Sequence, residues 1–302
     1  MLDLILRSGS FVFIIFLGWF LRKVGFFKRE DFTILARITI RVTLPCTIIT
    51  SFAGKEFDLS LLSLAFIALG CGIVYMLLGY LLNRKGSPER RAFGVLNLAG
   101  YNIGTFVIPF AQAFLDPICV IVFSLFDTGN AFIGLGGAYS VASMVQDGRG
   151  FSPKRIIKAL LTSPPFVCYI VMLLMNLGKL PVPDFVLSVA QIGANANAFM
   201  AMLTIGVGFQ LQAEKSQLWI LSKMLLVRYG VAAVVAAAFY FLLPFSLEVR
   251  QALVILAVSP IASAATGFTG ELKNDVGLSS ALNSLSIVIS IVLIITLILI
   301  MA

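Results

Sequence analysis

The feature that most constrains this chain is a succession of apolar runs near 20 residues long, with most of the charge held in the short gaps between them. A helix needs about 20 apolar residues to cross a bilayer. Hydrocarbon also accepts only backbone whose polar groups are paired within the protein. The runs therefore predict an all-α polytopic membrane protein. Ten spans are expected, over residues 4–21, 32–52, 59–82, 92–114, 117–144, 157–175, 185–209, 218–242, 251–270 and 276–301. Composition closes the alternative. Hydrophobic residues make up 60% and charged residues 12%, too few charges to cover the surface of a soluble domain of this size. Arg7 precedes an apolar run, but that run ends in Arg22-Lys23 with no small-residue cleavage site, so it is read as the first span.

The gap charges give an orientation. Arg22, Lys23, Lys28 and Arg29 outweigh Glu30 and Asp31 in the first gap. The second gap (Lys55, Glu56, Asp58) is acidic, and the third (Arg84, Lys85, Glu89, Arg90, Arg91) is basic. The fourth holds only Asp116, and the fifth is basic through Arg149, Lys154, Arg155 and Lys158 against Asp147. This alternation places gaps one, three and five in the cytoplasm and both termini outside. The excess of positive charge, 22 Lys+Arg against 14 Asp+Glu, is thus membrane anchoring rather than a nucleic-acid surface, and no nucleic-acid partner is expected. With no His, and with Cys46, Cys71, Cys119 and Cys168 isolated in apolar runs, neither a metal site nor a disulfide framework is expected. No Walker, HExxH or GxSxG pattern occurs, so ATP-driven pumping and intramembrane hydrolysis are not supported, and no enzyme or cofactor is expected.

The ten spans divide at loop 145–154 into two fives: residues 1–144 and 155–302. An odd number of spans per half makes the halves inverted in the membrane. Arg91-Ala-Phe-Gly-Val-Leu opens span four and Arg250-Gln-Ala-Leu-Val-Ile opens span nine. Each leads to a stretch rich in Gly, Ser or Pro, namely Gly100-Tyr-Asn-Ile-Gly-Thr-Phe-Val-Ile-Pro109 and Ser259-Pro-Ile-Ala-Ser-Ala-Ala-Thr-Gly267. Proline removes a helix hydrogen bond and clashes with the carbonyl four residues back. Paired interruptions of this kind point to a transporter's binding site. Spans four and nine are therefore expected to be broken and to cross at their prolines, with Asn102, Thr105, Pro109, Ser259, Pro260, Ser263 and Thr266 at the crossing.

Three further groups stand out. Asp127 lies deep in span five, where a carboxylate is costly unless paired, hydrated or protonated. It is read as a proton or cation coupling site with Asn130, or else as half of a structural ion pair. Arg41, one helical turn beyond Arg37, is placed to draw in an anion or pair with Asp127, or else to snorkel to the interface. Asn195 and Asn197 in span seven are expected to line the cavity or bond between helices. Lys223 and Arg228 in span eight are read as structural.

These residues resemble the auxin efflux carrier family, which includes plant auxin carriers and bacterial malonate or malate permeases. The resemblance is carried by Leu17-Gly-Trp-Phe-Leu-Arg-Lys-Val-Gly-Phe26 and by 38–49 with its Leu44-Pro-Cys-Thr. It also rests on Asn102 with Pro109 seven residues later, and on Pro260 followed by Gly267-Phe-Thr-Gly270 and Glu271. The chain departs from the family at Tyr101, at Val107 and in the proline-free run Gly193-Ala-Asn-Ala-Asn-Ala198. The resemblance implies two inverted five-helix repeats, with spans one, two, six and seven as scaffold around a moving part. It implies elevator-type secondary transport of a small organic anion, a dicarboxylate or an aromatic carboxylate, with H⁺ or Na⁺ as possible coupling ion. A homodimer in a bacterial inner membrane is implied as well. A channel, or a transporter-like sensor with the same fold, is the alternative.

Overall fold

A computed structural model of the chain describes residues 2–55, 58–210 and 217–301. Glu56, counted in the charge of the second gap, lies outside them. The described residues are 82% helical with no strand. Ten helical units follow one another in the described chain. We number them α1 (Leu2–Lys23), α2 (Asp31–Phe52), α3 (Leu59–Leu82), α4a (Pro88–Leu98), α4b (103–114) and α5 (Pro117–Asp147). They continue as α6a (Pro153–Leu161), α6b (Pro164–Leu177), α7 (Asp184–Gly208), α8 (Leu218–Leu242), α9a (Leu247–Ala257), α9b (Ala264–Glu271) and α10 (Val276–Met301).

Among the described residues, six helices are long and apolar enough to cross a membrane on their own: α2, α3, α5, α7, α8 and α10. Counting the bent pairs α4a/α4b and α6a/α6b as one span each gives up to eight. The 25 residues of α7 reach about 37 Å at 1.5 Å per residue, enough to cross with tilt.

Where one uninterrupted sixth span is expected over 157–175, the chain instead turns by 72° between α6a and α6b. Pro164 and Pro165 explain this: proline pushes the residue before it out of the helical region and offers no N–H to continue the ladder. Helix α6a keeps Ile156 and Leu160 buried while Arg155, Lys158 and Leu161 stay exposed, as expected of a helix lying along an interface.

The packing sets a frame for the site. α7 packs against α1 and α2, and α6b against α2; α3 packs against α4a and α5, and α8 against α9a. Lipid tails are as apolar as the side chains, so helix association in a membrane depends on close backbone approach. At Gly129 a Cβ would fall 1.8 Å from the Ala65 carbonyl oxygen, which fixes how tightly α5 sits on α3. Gly79 and Gly94 do the same between α3 and α4a.

Candidate functional site

Two helices lose their hydrogen-bond ladder at mid-length, and the site is built where they meet. α4a stops at Leu98, and the chain crosses Ala99–Asn102 in non-helical conformation before α4b starts. Gly100 has φ +74°, a left-handed value that only glycine adopts without strain. α9a stops at Ala257 and α9b begins at Ala264. The two breaks touch directly: the Asn102 N–H donates to the Pro260 carbonyl at 2.9 Å. Span nine is thus interrupted around its proline, as expected. Span four is not, because its break lies at Gly100, nine residues before Pro109. Pro109 is buried inside α4b, directly after a π-helical turn over Ile103–Val107. The wider turn shifts the carbonyl that proline would strike. Pro45 follows a second π turn, Thr39–Thr43, in the same way.

Each break is tied to the helix that follows it in sequence. Asn130 of α5 accepts the Tyr101 N–H on Oδ1 (2.9 Å) and donates from Nδ2 to the Tyr101 carbonyl (3.0 Å). Asn283 of α10 donates to the Ile261 carbonyl at 2.9 Å, and Ser286 Oγ accepts the Ile261 N–H at 3.2 Å. Buried backbone groups left unpaired in hydrocarbon would cost several kcal/mol each, so these side chains are what make the breaks tolerable. Arg228 of α8 completes the arrangement. It is 0% exposed and donates to the carbonyls of Leu98 (2.9 Å) and Ser259 (3.4 Å), one at each break. Its residue type and position in α8 are plain in the sequence, but its reach to both breaks is not.

Beside the crossing lies a cavity of about 180 Å³ whose polar lining includes Asn102, Thr105, Asp127, Asn130, Tyr169 and Ser263. Asn102 Nδ2 donates to Ser263 Oγ at 2.8 Å, and Thr105 Oγ1 donates to Asn102 Oδ1. Asp127 accepts from Asn130 Nδ2 at 2.8 Å and from the Tyr169 hydroxyl at 3.0 Å. Among the described residues, no basic side chain lines this cavity. Its walls include Phe32, Gly134, Leu135 and Ser163. Of these, Phe32 adjoins the basic loop 24–30, Gly134 and Leu135 lie near the middle of α5, and Ser163 sits at the bend between α6a and α6b. A second cavity of about 220 Å³ shares Phe32, Ile205 and Ser263 with the first and adds Arg29, Gln210, Thr266 and Asn283. On the far side, Phe11, Phe110 and Phe114 close ring on ring at 4.7–5.3 Å. There Gln112 also donates to the Ala194 carbonyl at 2.9 Å and accepts from Thr47 Oγ1 at 3.3 Å.

The other expected site residues fall in several places. Thr266 faces the second cavity and accepts from Ser279 Oγ at 3.1 Å. Ser259 is fully buried and contributes its carbonyl to Arg228, while its hydroxyl has no partner. Arg37 and Arg41 are exposed, and both carboxylate oxygens of Asp127 are taken by Asn130 and Tyr169, so no Arg41–Asp127 pair forms. Asn195 is exposed and accepts from Gln191, whereas Asn197 is fully buried, accepts from Thr43 Oγ1 at 2.8 Å and donates to Gln112 at 3.5 Å. Of the two roles expected for the pair, Asn197 takes the bond between helices and Asn195 neither bonds another helix nor lines the cavity beside the crossing. Two residues apart on an α-helix is about 200° around its axis, so the pair cannot share a face. Asn197→Ala is expected to cost about 1–3 kcal/mol by stranding buried polar partners. Asn195→Ala should change stability by less than about 0.5 kcal/mol. Thermal unfolding of both variants in one detergent checks the contrast.

Broken helices that meet beside a polar cavity are an arrangement that recurs in secondary transporters. Residues 10–147 match the family model described as membrane transport protein (Mem_trans), the auxin efflux carrier family. The resemblance read from the sequence holds over that stretch. No curated protein matches the chain.

Proposed function

We propose that this protein is a secondary transporter for a small organic anion, a dicarboxylate or an aromatic carboxylate, working by alternating access at the α4/α9 crossing. The observation that carries the reading is the cavity itself. It has amide and hydroxyl groups suited to a carboxylate, a lone carboxyl at Asp127, and a wall at Phe32, beside the basic loop 24–30, shared with the second cavity that Arg29 lines. By the positive-inside rule the cavity faces the cytoplasm. Asp127 is bonded only to neutral donors. A second negative charge entering beside it would be opposed unless Asp127 took up a proton or a cation came with the substrate. Proton coupling through Asp127 is the reading we favour, since both its partners can bond the neutral acid as well.

A ten-helix, two-repeat architecture fits this function. The family match ends at Asp147, where α5 ends. The pairing of Asn130 with Tyr101 and of Asn283 with Ile261 places an amide in the same role after each break. On this reading α1, α2, α6 and α7 form a scaffold in the inner membrane of a bacterium, dimeric as in the family. α3, α4, α5, α8, α9 and α10 then move across it as an elevator.

The test is uptake into proteoliposomes of labelled malonate, malate and phenylacetate, with pH and Na⁺ gradients imposed one at a time. Saturable accumulation of one acid under a pH gradient is the expected result. Fast, non-saturating flux would indicate a channel. No flux of any acid from folded protein would remove the carrier reading.

A further inference from the structure

Arg228 is the largest wholly buried side chain in the described structure. No described carboxylate forms an ion pair with it; the described ion pairs, Arg149–Asp147 and Arg155–Glu271, are both exposed. Its charge is met in two other ways. Two guanidinium nitrogens donate to the Leu98 and Ser259 carbonyls, at the C-terminal ends of α4a and α9a. Those ends carry the negative poles of their helices and favour a cation. The guanidinium carbon lies over the rings of Tyr75 (4.1 Å to the centroid) and Tyr101 (4.5 Å), two cation–π contacts. Tyr101 also lines the main cavity. Tyr101 therefore stands between the buried cation and the space where a ligand would sit.

Among the described residues, the cavity has no basic lining residue and one acidic one. Taken by its lining alone, it would repel an anion. The fixed positive charge behind Tyr101 reverses that balance, and it acts where screening by salt is weak.

We propose that Arg228 is the specificity-determining residue that makes the crossing select anions, acting through its charge from behind Tyr101 rather than by touching the ligand. This rests on the transporter reading, and it predicts something separate from transport. Binding should discriminate an acid from its uncharged amide, and that discrimination should follow the charge at position 228.

The experiment is ligand-induced thermal stabilisation of the purified protein, titrated with malonate against malonamide and with phenylacetate against phenylacetamide. Wild type, Arg228→Lys and Arg228→Met are compared. Wild type is expected to favour at least one acid over its amide by about tenfold or more, equally at 0.1 M and 1 M salt. Arg228→Lys keeps the charge and should keep most of the preference. Arg228→Met should bring acid and amide within about threefold.

An undiminished acid preference in folded Arg228→Met overturns the proposal, as does an equal loss in the Lys and Met variants, which would mark the carbonyl bonds and not the charge as decisive. If Arg228→Met fails to fold, the salt series decides. A wild-type preference that collapses at 1 M salt assigns selection to exposed Arg29 at the cavity mouth and overturns the role of Arg228. Absence of acid preference in the wild type also overturns it. Selective binding without flux, by contrast, would sink the carrier reading and leave this one standing.

Discussion

Asp127→Asn is expected to retain exchange of substrate across the membrane and to lose all accumulation driven by a pH gradient. The carboxylate now accepts two hydrogen bonds, from Asn130 Nδ2 and from the Tyr169 hydroxyl. A protonated Asp127 can keep the first and donate its own proton to the Tyr169 oxygen, since a phenol hydroxyl both donates and accepts. Asparagine does the same with Oδ1 toward Asn130 and Nδ2 toward Tyr169. The variant is therefore a permanent copy of the protonated state, with the same shape and no charge, and the breaks remain held by Asn130. One coupled proton supports about tenfold accumulation per pH unit. In counterflow and gradient assays side by side, wild type should approach that ratio and the variant should stay near one. Loss of exchange together with drive would instead place Asp127 in substrate binding. Retained drive would remove it from coupling altogether, and a wild type driven only by Na⁺ would replace the proton.

The positions of most helices were legible because hydrophobic length is a direct consequence of bilayer thickness. α2, α3, α8 and α10 begin and end within about a residue of the apolar runs, since a charged residue or a turn stops the burial on both sides. What the runs concealed was the bend at 162–163, where α6a has enough apolar residues to look like part of a straight span but turns 72° from α6b. The break in α4 was misplaced for a different reason. Proline is the usual breaker, yet Pro109 is accommodated by a π turn, and the chain opens at Gly100 instead. Whether a given proline interrupts a helix depends on the backbone geometry one turn earlier, which local sequence does not specify.

Within the site, Asp127, Asn102 and Asn130 were readable because a polar or charged group in hydrocarbon must have a partner, and there are few of them. Tyr169 and Tyr101 were not, since tyrosine is ordinary in membrane helices and only the fold shows which ring faces a carboxylate or a cation. Arg228 was visible as a charge in α8 but not as the tie between two breaks. Its partners are backbone carbonyls 130 and 31 residues away, and every residue type carries such a group. Asn195 and Asn197 are the opposite case, for helical geometry alone separates their faces.

Asn102→Ala is expected to lower uptake by about 100-fold, the scale at which loss of a positioning contact acts, while the protein still folds. The backbone contact that joins the two breaks, from the Asn102 N–H to the Pro260 carbonyl, does not involve the side chain and survives the change. What is lost is the amide, which bonds Ser263 Oγ with one of its two N–H donors and accepts from Thr105 with one of its two acceptor sites. One donor and one acceptor are left beside the cavity, a complement to a carboxylate oxygen or to the water that accompanies one. Two roles are therefore combined in one side chain: bridging α4b to the α9 break, and meeting the substrate. Ser263→Ala separates them, because it removes the bridge and leaves the amide in place. If substrate contact dominates, Ser263→Ala should cost less than about tenfold in uptake, well short of Asn102→Ala. Equal losses in the two variants, with thermal stability unchanged in both, would mean that Asn102 serves by joining the halves of the crossing and that the substrate is held elsewhere in the cavity.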